Sequence, residues 1–176
     1  LATRSTVQRP IVAVGDGPMT ALANAGLTTG IANRIVCVFQ IPNSGFEAYR
    51  PSDPWASAWL LKNTRTLAIR KDNEDGFERL VKSDLRDRFP IEDPLIQTLA
   101  AKLGATEGVP LGDLAPYLAL ITPEVEDAAQ RLRLESVGAD GALKTVDDPR
   151  GPIFVINRSQ LGPLKERFLA LLEQKV

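Results

Sequence analysis

The sequence contains no histidine and only one cysteine, Cys37. Without histidine the chain cannot assemble Ser-His-Asp or Cys-His nucleophilic catalysis, imidazole acid–base chemistry, or His-ligated zinc or non-haem iron. One thiol cannot close an intramolecular disulfide, build a thiolate zinc site or hold an iron–sulfur cluster. No Gly-x-x-x-x-Gly-Lys-Ser/Thr loop occurs, which removes a P-loop nucleotide site. Long apolar runs are missing as well. Runs such as Ile35–Phe39 and Leu118–Ile121 fall far short of the ~20 residues of a membrane helix. Membrane insertion is therefore not expected. No charged-apolar-small pattern marks a signal peptide. The chain begins at Leu1 rather than Met, which suits a processed start and a piece of a longer chain equally.

Neither sign of charge predominates. There are 21 Lys+Arg against 22 Asp+Glu, a net charge of −1. No bulk attraction to nucleic acid follows from that balance, and nucleic acid is not expected as a partner. Apolar residues make up 44% and charged residues 24%, ordinary values for a soluble globular protein. The 176 residues suit one domain that needs no disulfide or metal to hold its core. We divide the chain into a polar arm, residues 1–9, and one globular domain, residues 10–176. Cys37 sits in the run Arg34-Ile-Val-Cys-Val-Phe39 and is expected to be buried as a small hydrophobe. A free thiol is compatible with a reducing cytoplasmic compartment.

What is present reads as a mixed α/β chain. Ile11–Val14 is a short buried strand running into Gly15-Asp-Gly-Pro18. Pro18 suits the first position of a helix through Asn24, with Gly26 ending it. Strands follow at 34–40 and 66–71, the latter with Leu67 and Ile69 on one face. A helix is expected after Asn73, with Phe77, Leu80, Val81 and Leu85 as its stripe and Pro90 as its stop. Asp93-Pro94 opens another, with Leu95, Ile96, Leu99, Ala100 and Leu103 inward. Residues 105–116 read as loop, and Tyr117–Ile121 as a short helical or extended piece. Thr122-Pro123-Glu124 starts a helix carrying Val125, Ala128, Ala129 and Leu132 into the core. Glu135–Val137 and Ala142–Val146 pair across Gly138-Ala-Asp-Gly141. A strand at 152–157 and a helix from about Pro163 complete the chain. The fold expected is α/β to α+β: one mixed sheet with helices packed on it, an N-terminal βαβ-like unit, and a late hairpin followed by a C-terminal helix.

Two segments carry candidate sites. Gly15, Asp16 and Gly17 lie between a strand and a helix, where backbone N–H groups can face an anion. They match the first two glycines of a dinucleotide fingerprint, but Thr20 stands at the third. Gly-Asp-Gly followed by Ala-Leu-Ala resembles a segment of the haloacid-dehalogenase-like phosphatases and P-type ATPases. The Asn-Asp pair that follows it in those families is absent here, as is any Asp-x-Asp loop. The second segment, Ile41 to Ser57, contains Pro42, Gly45, Pro51 and Pro54, and a helix is expected from about Trp55 to Lys62. Its Phe46, Tyr49, Arg50 and Trp55 are residue types that anchor protein interfaces. The bland alternative has Trp55 and Trp59 plugging a core edge. The acidic groups read as helix starts and turns.

The function expected first is a non-catalytic interaction or assembly subunit binding other proteins through Phe46, Tyr49, Arg50 and Trp55. Second is a small α/β enzyme or a phosphate or nucleotide binder using Gly15–Pro18 and a carboxylate such as Asp16. No catalytic residue, metal or cofactor is assigned.

Overall fold

A computed structural model describes residues 11–14, 19–71, 78–103, 108–122 and 124–175. Among the described residues six strands form one mixed sheet in the order β1-β2-β3-β8-β6-β7. The parallel half comprises β1 (Ile11–Val14), β2 (Ile35–Ile41), β3 (Arg65–Arg70) and β8 (Ile153–Asn157). The antiparallel half is the hairpin of β6 (Gln130–Val137) and β7 (Leu143–Asp147), with β6 laid against β8. This is the mixed sheet that the βαβ start and late hairpin lead one to expect. A separate two-stranded ribbon pairs β4 (Arg79–Leu80) with β5 (Val109–Pro110).

The sheet is covered on both faces, which explains the unbroken apolar run of β2. Ile35, Cys37, Phe39 and Ile41 point to one face, beside Met19 and Ala23 of α1 (Met19–Thr29) and Ala56, Leu60 and Leu61 of α2 (Pro54–Asn63). Val36 and Val38 point to the other. There they meet α3 (Lys82–Arg86), α4 (Pro94–Lys102), α5 (Ala115–Ile121) and α7 (Leu164–Glu173) through Leu85, Ile96, Leu118 and Leu169. Each such side chain contributes about 1.5–3 kcal/mol when fully buried. Leu67 and Ile69 of β3 share the second face and Ala68 the first, as the strand alternation predicts.

Several expectations are corrected. Gly26 does not end α1 but lies buried inside it, and the helix runs to Thr29. A Cβ at Gly26 would lie 2.6 Å from Trp59 Cζ3, so the missing side chain is where the indole sits. The single helix expected before Pro90 is instead the strand β4 followed by the five-residue α3. Leu80 therefore reaches the core from a strand, while Asn73 and Phe77 lie outside the described residues. Residues 105–116 are not all loop, since they hold β5 and the start of α5. The helix after Thr122 is α6 (Glu124–Asp127), only four residues long. Leu132 belongs to β6, where Leu132 and Leu134 alternate with Arg131, Arg133 and Glu135. Period two wins over a helix start once a sheet edge is available to pair with. Leu95, expected inward, is 43% exposed, whereas Ile96 is buried.

The helix ends show where many carboxylates go. Asp93 accepts from the backbone N–H groups of Leu95 and Ile96 at 2.8 and 3.1 Å and caps α4. Glu78 accepts from Leu164 and Lys165 N–H at 3.2 and 2.7 Å, closing the start of α7 from a distant part of the chain. Asp84 accepts from Val81 N–H at 2.8 Å and pairs with Lys165. Glu126 is paired with Arg65. Among the described residues no helix is long and apolar enough to cross a membrane.

Candidate functional site

The loop between β2 and α2 is built on buried aromatics. Gly45 N–H donates to the Pro42 carbonyl at 2.8 Å, and Gly45 takes φ 93°, a conformation open to glycine. The turn sends Phe46 and Tyr49 inward, where they are 2% and 6% exposed. Tyr49 meets Phe39 edge-on at 5.8 Å between ring centroids and Phe46 edge-on at 6.0 Å. Such pairs each add about 0.5–1.5 kcal/mol beyond the area they bury. Two of the four residues singled out for partner contact are thus foundation rather than surface.

The other two remain at the surface. Trp55 is 75% exposed, the most exposed of the large apolar side chains among the described residues. It stands in the first turn of α2, behind Asp53 and Pro54. Asp53 caps that turn, accepting from Ala56 N–H at 2.9 Å and from the Thr20 hydroxyl at 2.7 Å. These donors, Ala56 N–H foremost, hold the Asp53 carboxyl below the usual range. Trp55 does not plug the core edge. Trp59 does, packing partly buried against the α1 face of the sheet.

Arg50 is tied to a hairpin turn ninety residues away. Its Nη2 lies 3.1 Å from Asp140 Oδ2, and the side chains are 50% and 62% exposed. Nη1 donates to the carbonyls of Glu47 and Tyr49. Asp140 also accepts from Ala142 N–H at 3.1 Å, and that bond, with Arg50 nearby, lowers its carboxyl below the usual range. Next along the turn, Gly141 has φ 80° and sits against Pro54, leaving a Cβ only 2.9 Å from Pro54 Cγ. The β6–β7 turn therefore braces the loop from outside while the aromatic trio anchors it from inside. No sequence signal pairs Arg50 with Asp140, and the turn glycines announce only the hairpin.

Gly15, Asp16 and Gly17 lie outside the described residues. Val14, just before them, ends β1 at the same sheet edge as the ends of β2, β3 and β8. Among the described residues no three His, Cys, Asp or Glu side chains gather as a metal site. Cys37 is fully buried; that burial pushes its thiol up to about 11, with a hydrogen bond from the Thr64 hydroxyl acting weakly the other way. No protein-family model, curated protein or solved structure matches the chain.

Proposed function

We propose that this chain is a non-catalytic subunit that docks onto another protein through the surface around Trp55 and Arg50. The observation carrying this reading is the 75% exposure of Trp55 on a capped helix turn. A Trp so placed adds nothing to the core, yet it offers a partner a large rigid face with two rotatable bonds. The bracing by Pro54, Gly141 and the buried Phe46–Tyr49 pair supports the same reading. A surface already held in place loses little conformational entropy on docking. Arg50 contributes a planar donor fork. Its exposed pair with Asp140 is worth little to stability, so exchanging Asp140 for a partner acceptor costs little. Phe46 and Tyr49 act beneath this surface by fixing its shape.

The test separates the two roles. Trp55→Ala and Arg50→Ala should leave thermal melting nearly unchanged and weaken association by about 2 kcal/mol or more. Phe46→Ala should instead cost about 3–5 kcal/mol of folding stability. Association with the native partner that is indifferent to both surface variants would refute the reading. The other expectation, a phosphate or nucleotide binder on Gly15–Pro18, gains no support, because those residues lie outside the described ones.

A further inference from the structure

A second feature of the fold is independent of Trp55. The chain leaves β2 for α2 on one face of the sheet and leaves β3 for the helices on the other. In sheets of this kind the carboxyl ends of two such strands open a crevice, and ligands of α/β proteins bind there. At the ends of β2 and β3 a cleft of about 170 Å3 opens on the α2 side of the sheet, between the loop after β2 and the β6–β7 hairpin. Its floor is apolar, from Ile41, Phe46 and Leu132, and its walls are Ser44, Glu47, Arg70, Gln130, Thr145 and Asp147. The walls come from the loop after β2, the end of β3, the start of β6 and the far end of β7.

The polar groups are ordered by one another. Arg70 Nη2 donates to Gln130 Oε1 at 3.2 Å, and Gln130 Nε2 donates to Asp147 Oδ1 at 2.6 Å. This relay fixes the amide, and it occupies only one of the two Asp147 carboxylate oxygens. Arg70 Nε is sheltered from solvent and, among the described residues, has no acceptor.

The charges select the ligand. Two carboxylates, Glu47 and Asp147, face one cation, Arg70, so a phosphate or carboxylate ligand meets net repulsion. Hydroxyl groups meet the opposite. Each can donate to a carboxylate and accept from Arg70, Ser44 or Thr145. At about 30 Å3 per water the cleft has room for roughly five or six waters, the scale of one sugar ring and below a drug-sized pocket. We propose that this cleft binds a neutral polyhydroxylated ligand of monosaccharide size, with Arg70 and Asp147 as its principal hydrogen-bonding partners.

The probes are D-glucose, D-galactose and D-mannose at millimolar concentrations, observed by saturation-transfer NMR on the full chain, with inorganic phosphate added as competitor. At least one sugar should receive saturation, and phosphate should not displace it. Asp147→Asn, at an exposed position, keeps the fold. Arg70→Lys keeps the charge but loses the planar fork. Each should weaken binding by roughly tenfold or more, the scale of a hydrogen bond to a charged group. No transfer to any of the three sugars, displacement by phosphate, or undiminished binding in both variants would each overturn the proposal.

Discussion

Replacing Gly26 by alanine tests how α1 and α2 are joined. In a helix interior, Gly→Ala alone stabilises by about 0.5–1 kcal/mol. Here the new Cβ would stand 2.6 Å from Trp59 Cζ3 and nearer still to Cη2. No pair of carbons rests that close, so the indole must swing outward or the helices must part. Overpacking of this size costs about 1–3 kcal/mol, which outweighs the propensity gain. We expect Gly26→Ala to destabilise by about 1–2 kcal/mol net, read from urea denaturation. Using a Trp55→Phe background leaves Trp59 as the only indole, and its emission should shift red as the ring moves out. In a Trp59→Leu background the obstruction is gone, and Gly26→Ala should become stabilising by about 0.5–1 kcal/mol. The two changes must therefore couple. Effects that add to within about 0.5 kcal/mol, or a stabilising Gly26→Ala in the unmodified chain, would refute the packing argument.

Gly151 is constrained by backbone instead, because a Cβ there would run into the Leu132 carbonyl of β6. Gly151→Ala should cost about 2–3 kcal/mol in urea midpoint measurements, and a loss under about 0.5 kcal/mol would show that the turn stands away from the strand. Cys37 should resist thiol reagents in the native state and label fast on unfolding. Its thiol is raised from 9.0 to about 11. The stability it contributes is therefore complete below pH 9 and is lost as pH rises through 11, roughly 2–3 kcal/mol in all, a loss that Cys37→Ala should remove. Asp53 titrates in the opposite sense. Its carboxyl lies below 3.8 in the fold, so its contribution is present above that value and disappears as pH falls through the lowered one. Asp53→Asn should keep α2 capped but flatten the acid side of the melting profile, and an unchanged acid profile would contradict this.

Features set by local chemistry were legible from the sequence. The run Ile-Val-Cys-Val-Phe is apolar at every position because both faces of β2 are covered. The Gly138–Gly141 turn and the Asp93-Pro94 cap fix their elements with groups close in sequence. Expectations failed where a distant partner decides. Leu80, Val81 and Leu85 satisfy a helical period, yet Leu80 pairs with Val109 in the small ribbon. Trp55 and Trp59, four apart, share the helical face that spacing predicts. Which of them is covered depends on Gly26 of another helix, and spacing carries no information about that. The same holds for the loop. Its aromatics and prolines were visible, but the division into buried Phe46 and Tyr49 against exposed Trp55 and Arg50 is set by Phe39 beneath and the β6–β7 turn outside. The cleft residues Arg70, Gln130 and Asp147 belong to three separate strands, and only the strand order brings them together.

Site-specific photo-crosslinking tests the docking surface most directly. A photoreactive phenylalanine analogue would replace Trp55 in one variant and, in control variants, Ile91 or Tyr117, which are 56% and 55% exposed in the helical half on the other face of the sheet. Each variant would be expressed at native level in cells of the source organism and irradiated there. One discrete covalent adduct is expected from position 55, diminished by excess unmodified protein but not by excess Trp55→Ala protein, and no matching adduct from positions 91 or 117. The absence of any discrete adduct from position 55, or equal adducts from all three positions, would contradict it.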